Sequence, residues 1–302
     1  MKTTRKLRNL LQAPGVIQAG GVGDAAQARI VESVGYPAVY MSGSYVNYTY
    51  GVPDGTLTLS EIAARLGEIA QRVSIPVIAD ADEGFGDVLK LIRTVRDFER
   101  AGAAALHLED LVVKKHGHPL PVPEMVKHIK IALEARDDPD FVIIARTDAM
   151  APWREGAETN RAACEQEAFE RCVAYAEAGA DVIMPMYPTM NWIRRFGTRI
   201  PKPLMPVCGV NASHRPPPGA APDDALQASE FSIAELQPHN VKIMIYPTAM
   251  LARAFRFMHT QYAEWLAAGV CHATEQDQKD RWEANVLVGV PEKYKILAKY
   301  EK

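Results

Sequence analysis

Eight apolar runs of strand length alternate with amphipathic stretches of helical period along most of the chain. The runs lie at residues 16–19, 38–41, 75–79, 104–108, 141–145, 181–185, 204–208 and 241–246. Parallel strands need helical crossovers, so this alternation predicts a parallel α/β sheet. Eight repeats within 302 residues close most simply as a (β/α)8 TIM barrel. An open, doubly wound sheet is the alternative.

Capping residues predict where the helices begin and end. Asp24, Ser60, Asp87 and Thr248 each precede a stretch of helical period, and Gly102 follows the stretch that Asp87 opens. We assign residues 1–270 to the barrel domain and residues 271–302 to a C-terminal helical extension. The extension exceeds what a barrel needs, so we expect either a helix exchanged between subunits or a cover over the bottom of the barrel.

Composition excludes several kinds of partner. The formal net charge is −3 and no basic stripe is present, so we expect no nucleic acid. No apolar run has the length of a membrane span, and no apolar segment of the signal-peptide kind follows the basic N-terminus, so we expect no membrane. Cys164, Cys172, Cys208 and Cys271 lack metal-type spacing, which indicates reduced thiols and a cytoplasmic protein.

A barrel of this kind carries its functional residues at the carboxyl ends of its strands. Charged and polar residues gather at these predicted ends, together with two methionines. They are Ser42, Gly43, Asp80, Asp82, His107, Glu109, Arg146, Met184, Met186, Asn211 and Tyr246. We therefore expect them to meet at one rim.

The acidic motif Asp80-Ala81-Asp82-Glu83-Gly84-Phe85-Gly86 follows the third run. Two carboxylates two residues apart at a strand end point to the same side of the sheet. With Glu109 from the next strand end they can form an all-oxygen site, which favours Mg²⁺ or Mn²⁺ over zinc. The alternative is an acidic loop that caps the next helix through Asp87.

Arg146 ends a wholly apolar run, where an unpaired charge would be costly. Its planar fork of donors suits a substrate carboxylate or phosphonate. The alternative, equally weighted, is an internal ion pair with Asp148 or Glu109.

Two further segments have weaker signals. Ser42-Gly43-Ser44 offers backbone N–H groups to an anion, although a plain turn is the simpler interpretation. Residues 114–118 (Lys-Lys-His-Gly-His) carry two cations and two imidazoles, which indicates either a lid that supplies an acid or base, or a solvated basic loop.

In combination these motifs resemble the isocitrate lyase/phosphoenolpyruvate mutase superfamily over roughly residues 10 to 270. The resemblance rests on Tyr40-Met41-Ser42-Gly43, Gly51-Val52-Pro53-Asp54, the acidic motif, His107-Leu108-Glu109-Asp110, the 114–118 segment, Ala145-Arg146-Thr147-Asp148-Ala149 and Tyr246-Pro247. It implies a β/α barrel, Mg²⁺, chemistry through an enolate of a 2-oxo acid, and a homotetramer that is a dimer of dimers with a swapped C-terminal helix.

The resemblance also implies roles for individual residues. The metal is implied to bind, directly or through water, to Asp54, Asp80, Asp82 and Glu109. The substrate is implied to contact Tyr40, Ser42, Gly43, Asp82, Gly117, His118, Asn211 and Arg146, with His107 helping Arg146 to orient its oxygen functions.

The chain departs from the family pattern at informative positions. His116 stands where the lyases carry the catalytic Cys of Lys-Arg-Cys-Gly-His, and the Asn of the phosphonate mutases is absent too. Pro185-Met186 stands where the tricarboxylate lyases place a Glu, which suits a less polar substrate. Glu83 replaces the usual Thr or Ile.

The leading hypothesis is a Mg²⁺-dependent lyase that cleaves a C–C bond in a 2-hydroxy or 2-oxo di- or tricarboxylic acid. Arg146, His107 and Tyr40 would serve the reaction, and His116 would protonate the carbanion in place of the missing thiol. The alternatives are an oxaloacetate-type decarboxylase, a phosphonopyruvate mutase or hydrolase, and a non-catalytic carboxylate-binding barrel.

Overall fold

Seven parallel strands form a strongly curved sheet in the computed structural model, which describes residues 1–111, 119–154, 160–207, 232–271 and 273–301. The strands are β1 (Ile17–Val22), β2 (Ala38–Met41), β3 (Val77–Asp80), β4 (Ala105–Glu109), β5 (Val142–Thr147), β6 (Val182–Pro185) and β7 (Ile243–Tyr246). Their order is β6-β5-β4-β3-β2-β1-β7, and every neighbouring pair is parallel. All carboxyl ends therefore lie at one rim.

The seventh predicted run closes the barrel without forming a regular strand. The N–H of Ile183 on β6 donates to the Pro203 carbonyl at 2.9 Å, and the N–H of Leu204 donates to the Asn240 carbonyl, just before β7, at 2.8 Å. Isolated parallel bridges replace a ladder here, because Pro203 and Pro206 have no N–H to donate. The barrel prediction is confirmed, with an irregular segment between β6 and β7 in the place of the seventh predicted strand.

Helices fill the crossovers between the strands and extend beyond the last one. They are α1 (Thr3–Gln12), α2 (Ala25–Ser33), α3 (Gly43–Thr49), α4 (Leu59–Ala70), α5 (Val88–Ala101), α6 (Val122–Ala135), α7 (Ala151–Arg154), α8 (Arg161–Glu177), α9 (Met190–Phe196), α10 (Ile233–Leu236), α11 (Ala249–Ala268), α12 (Glu275–Leu287) and α13 (Val290–Tyr300).

The predicted caps are mostly confirmed. Asp24 and Asp87 accept hydrogen bonds from the first turns of α2 and α5, and Gly102 ends α5 in the left-handed conformation. The prediction that Ser60 opens the next helix was two residues late. Thr58 is the cap, because its hydroxyl and the Glu61 carboxylate form a reciprocal capping box.

Helix α3 begins at the segment Ser42-Gly43-Ser44, for which a plain turn was the simpler interpretation. Ser42 is its N-cap, with the side-chain oxygen accepting from the Tyr45 N–H at 3.4 Å. The segment is rich in aromatic and β-branched residues, which favour strands over helices. Tertiary contacts override that preference, because Tyr45, Val46 and Asn47 are all buried.

The core has two layers. Inward side chains of the strands form the barrel interior, and the opposite faces of the strands pack on the surrounding helices. The bottom of the interior is covered by α1, whose Leu7 is fully buried there. Arg8 of α1 pairs with Asp181, just before β6, at 2.8 Å. Helix α1 thus covers the bottom face, for which the sequence analysis had considered the C-terminal extension. The sequence-based prediction did not include α1.

The C-terminal helices expose many large apolar side chains. Those of α11 to α13 that are at least half exposed include Met250, Phe257, Tyr262, Leu266, Trp282, Tyr294, Ile296 and Tyr300. The described helices include none that is both long enough and apolar enough to cross a membrane. The domain division at residue 270 and the helix exchange between subunits stay predictions.

Candidate active site

Three carboxylates meet at the carboxyl rim of the barrel. Asp80 ends β3, Asp82 follows it in the next turn, and Glu109 ends the neighbouring strand β4. One ligand oxygen from each lies within 4.8 Å of the others. The fold therefore brings these three side chains together as predicted, and the group could hold a metal ion.

Asp80 is held in place by backbone donors on both of its oxygens. The Gly43 N–H donates to Oδ2 at 3.0 Å, and the Asp82 N–H donates to Oδ1 at 3.1 Å. A Cβ on Gly43 would lie only 3.1 Å from Asp80 Oδ2, so a side chain there would crowd the carboxylate. The N–H of Gly43, predicted to bind a substrate carboxylate, is engaged by Asp80.

The turn after β3 has an unusual backbone. Asp82 and Phe85 have positive φ angles of 46° and 61°, which side-chain-bearing residues rarely adopt. Gly84 and Gly86 also have positive φ, where glycine is unstrained. Such strained residues cluster at functional sites, because the surrounding structure must hold them in place.

The electrostatics of the three carboxylates suit a cation. Burial, followed by the charges of Asp80 and Asp54, raises the pKa of Asp82 well above its usual value. Burial also raises the pKa of Glu109 well above its usual value, although Arg146 opposes this effect. Crowded, partly dehydrated carboxylates with only oxygen donors are what Mg²⁺ binds, so the residues present fit this metal.

Arg146, at the end of β5, is paired on both sides. Its Nη1 lies 2.6 Å from Glu109 Oε2, and its Nε and Nη2 donate to the two oxygens of Asp148 at 2.8 and 2.9 Å. The internal ion pair, which was the alternative interpretation, is therefore present with both proposed partners. Contacts with described residues use three of the five guanidinium N–H groups. A substrate role for Arg146 stays a prediction.

Tyr40 and His107 form a buried polar pair beside Asp80. The Tyr40 hydroxyl lies 2.7 Å from His107 Nε2, and the same nitrogen lies 3.2 Å from Asp80 Oδ1. Burial lowers the pKa of His107 to about 4, so the imidazole is neutral at neutral pH. Burial likewise raises the pKa of Tyr40, and the phenol keeps its proton. The pair presents neutral hydrogen-bonding groups next to the carboxylates.

Other predicted residues lie outside this cluster. Asp54 is exposed and does not belong to the group of three, although its charge raises the pKa of Asp82; it accepts a hydrogen bond from Ser44. A role for Asp54 in binding the metal, directly or through water, stays a prediction. Four predicted site residues lie outside the described part of the chain: His116, Gly117, His118 and Asn211.

Several described side chains at the rim beyond β5 are apolar. Met184 on β6 is the direct lateral neighbour of Arg146 in the sheet register. Met184 and Met186 are buried in the same interior cluster as Tyr40, and Val207 and Ile245 belong to it as well. Charged side chains thus come from β3 to β5, and apolar ones from β6, from the 203–207 segment and from β7.

The sequence-based prediction missed a second buried polar group next to the site. Asp110, Arg171 and Tyr175 contact one another behind the end of β4. A signal was available, because Arg171 falls among the buried positions of α8, between Ala168 and Tyr175. A charged residue on an apolar helix face requires a buried partner.

The sequence is similar to a family of known proteins that includes named lyases. The sequence profile of the family described as phosphoenolpyruvate phosphomutase matches residues 7–266. The chain is 38% identical to the 2,3-dimethylmalate lyase of Eubacterium barkeri, over 85% of this chain and 84% of that protein. It is 35% identical to the 2-methylisocitrate lyase of Aeropyrum pernix, over 91% and 82% of the two chains.

A solved structure gives the same picture of the fold. The crystal structure of phosphonopyruvate hydrolase in complex with oxalate and Mg²⁺ superposes with a TM-score of 0.80 and 28% identity, covering 100% of both chains. Two of the strand-end motifs on which the resemblance rested, the acidic turn after β3 and the end of β4, also supply the three clustered carboxylates. Family profile, relatives and fold agree, and the chain belongs to the phosphoenolpyruvate mutase/isocitrate lyase superfamily of enzymes.

Proposed function

We propose that this enzyme is a Mg²⁺-dependent lyase that cleaves a C–C bond in a 2-hydroxy or 2-oxo dicarboxylic or tricarboxylic acid through an enolate intermediate. The observation that carries the proposal is the group of three carboxylates at the barrel rim. The names of two lyases to which the chain is similar over most of its length support the reaction class.

The residues that would hold the metal are Asp80, Asp82 and Glu109. When bound, Mg²⁺ supplies positive charge that stabilises negative charge developing on substrate oxygens. Mn²⁺ satisfies the same oxygen donors. The oxalate and Mg²⁺ of the phosphonopyruvate hydrolase complex support a site for a small dicarboxylate and a divalent cation in a barrel of this shape.

The chain's own residues would orient the substrate. Arg146 has two N–H donors beyond those that its described ion pairs use, and the Tyr40–His107 pair offers neutral hydrogen-bonding groups to substrate oxygens. In a 2-hydroxy acid, the hydroxyl gives its proton to a basic group of the site or to water and becomes a carbonyl as the C–C bond breaks, and the electron pair of that bond stays on the departing acid as an enolate. The enolate carbon then takes up a proton, and the proton donor that we propose is His116.

The subunit arrangement is part of the same proposal. We place the barrel at residues 1–270 and the extension at 271–302, and we expect a homotetramer in which C-terminal helices are exchanged. The exposed apolar side chains of α11 to α13 support this arrangement, because contiguous exposed apolar surface marks association sites.

A substrate screen by proton NMR in the presence of Mg²⁺ tests the function. The panel contains 2,3-dimethylmalate, 2-methylisocitrate, oxaloacetate and phosphonopyruvate. We expect one of the two hydroxy acids to be cleaved into a 2-oxo acid and a second carboxylic acid, and EDTA to abolish the reaction. Consumption of phosphonopyruvate or oxaloacetate alone would replace the lyase with one of the two alternative activities, and binding without turnover would support a non-catalytic barrel.

The apolar side of the rim supports a substrate with an apolar substituent rather than a further carboxylate. Met186 is buried beside Met184, which is itself next to Arg146. An additional substrate carboxylate on this side would be dehydrated without a described cationic partner beyond the already paired Arg146, and such a group is costly to bury. We therefore favour a branched, less charged acid such as the substrate named for 2,3-dimethylmalate lyase.

Met186→Glu is expected to change the preference between the two hydroxy acids. Glutamate would remove the apolar contact, and the tricarboxylate lyases place a Glu here, so kcat/KM for 2,3-dimethylmalate should fall at least about 10-fold relative to that for 2-methylisocitrate. Met186→Leu keeps the apolar volume and serves as the matched control. An unchanged ratio in Met186→Glu would show that this side chain does not contact the substrate.

A further inference from the structure

A second buried polar cluster lies behind the carboxylate group, on the outer side of the sheet. Its members are Asp110, Arg171 and Tyr175, which have relative exposures of 0, 6 and 0%. Tyr175 Oη donates to Asp110 Oδ2 at 2.7 Å, and Arg171 Nη1 lies 3.3 Å from the same oxygen. The Tyr175 hydroxyl stays protonated because burial raises its pKa well above the usual value. The Asp110 carboxylate therefore has two firm donors from helix α8.

The other oxygen of Asp110 holds the end of β5. The Asp148 N–H donates to Asp110 Oδ1 at 2.9 Å, and the Thr147 hydroxyl donates to the same carboxylate. The Asp110 N–H in turn donates to the Arg146 carbonyl at 3.2 Å. Asp110 thus links α8 to the two residues that follow Arg146 in the chain.

These contacts continue into the proposed metal site. Asp148 accepts from Nε and Nη2 on one edge of the Arg146 guanidinium, and Nη1 of Arg146 lies 2.6 Å from Glu109 Oε2. A shift of the Asp148 backbone would therefore move the Arg146 fork, and with it the Glu109 carboxylate. Each link in this path is a contact between described residues, and each carboxylate in it is at least nine-tenths buried.

Arg171 also fixes the chain that returns to the barrel after the end of β4. Its Nη1 donates to the Leu120 carbonyl at 2.7 Å, and the Leu120 N–H donates to the Asp110 carbonyl at 2.7 Å. Leu111 and Pro119 pair as an antiparallel bridge beside them. The same cluster therefore holds both β4 and the start of α6.

We propose that Tyr175 and Arg171 are positioning residues for the active site. Through Asp110 and Asp148 they set where Arg146 and Glu109 lie, although neither reaches the site itself. Outer groups that orient metal ligands commonly affect metal affinity or activity by about 10- to 100-fold when they are removed. The inference rests on the proposed function, because it requires Glu109 to bind the cation.

Tyr175→Phe tests the proposal, because it keeps the ring and removes only the donor to Asp110. Mn²⁺ is the probe, titrated by EPR in the absence of substrate. We expect the Kd for Mn²⁺ to rise about 10-fold and kcat to fall by a similar factor. Arg171→Lys, which keeps the charge but not the fork of donors, should change both quantities in the same direction.

Cys172→Ala is the matched control. Cys172 is fully buried on α8, next to Arg171, and its replacement removes packing without removing a donor to Asp110. It should lower the midpoint of thermal unfolding while leaving the Kd for Mn²⁺ and kcat unchanged. If Tyr175→Phe behaves like Cys172→Ala, the positioning role is wrong and the cluster is structural only. If the wild-type protein binds no Mn²⁺, the proposed function fails, and this inference fails with it.

Discussion

Asp80→Asn is expected to lower Mg²⁺-dependent turnover by at least about a thousandfold, because metal-based charge stabilisation contributes several kcal/mol and each 1.36 kcal/mol is a factor of ten in rate. The substitution keeps the shape of the side chain but replaces one carboxylate oxygen with an NH2 group. The asparagine side chain has a single acceptor oxygen, so it cannot accept from both the Gly43 and the Asp82 N–H groups. It also supplies no charge to the cation. Isothermal titration with Mg²⁺ and a turnover assay measure the two effects.

Asp87→Asn is the matched control for this prediction. The same substitution of aspartate by asparagine is made seven residues after Asp80. The Asp87 side chain is exposed and caps α5. Asparagine caps helices about as well as aspartate, so stability and turnover should be unchanged. If Asp80→Asn retained both Mg²⁺ affinity and turnover, the carboxylate group would not be the metal site.

Arg146→Met is expected to destabilise the fold by about 3–5 kcal/mol at neutral pH, the usual cost of removing one partner from a buried ion pair. Glu109 and Asp148 are 4 and 1% exposed, and both would lose their cationic partner. Urea unfolding followed by circular dichroism gives the free energy of unfolding. Mg²⁺ should restore part of the loss, because a ligand that binds only the folded state stabilises it.

The same variant should show a characteristic pH dependence. Burial already raises the pKa of Glu109 in the folded protein, and the loss of Arg146 would raise it further. The folded state then binds more protons than the unfolded state, so the free energy of unfolding should fall as pH rises above the ordinary pKa of a glutamate toward the raised pKa of the folded protein.

Arg93→Met provides the comparison, because Arg93 forms an exposed ion pair with Asp97 on α5 and should contribute less than about 1 kcal/mol. A pH-independent loss in Arg146→Met that is no larger than that of Arg93→Met would contradict the buried ion pairs.

The strand ends were predictable from sequence because the apolar run and the polar residue that ends it are both local patterns. An apolar run predicts a buried strand, and the residue that ends it is then placed at the rim by the parallel topology alone. Asp80, Asp82, Glu109 and Arg146 were found in this way. The partners of Arg146 were only alternatives in the sequence, because the choice between substrate and internal ion pair depends on distances across two strands.

Other elements depend on contacts that the sequence does not display. Helix α3 forms from residues with weak helix propensity because Ser42 caps it and its inner face is buried. Helix α1 is short and basic, and only the apolar positions Leu7, Leu10 and Leu11, at helical spacing, indicated it. The cluster around Asp110 joins residues more than 60 positions apart, so no local pattern could have identified its members as partners.

The division of the rim between Arg146 and Met184 bears on how such a barrel can diversify. The charged groups come from residues 80–148, and the apolar groups that would face them come mainly from residues 184–207. Under the proposed function, the charged groups for the reaction precede most of the apolar groups for substrate choice along the gene. Recombination or mutation confined to residues 184–207 could therefore change which acids a descendant accepts as substrates while the charged groups of the reaction stay the same.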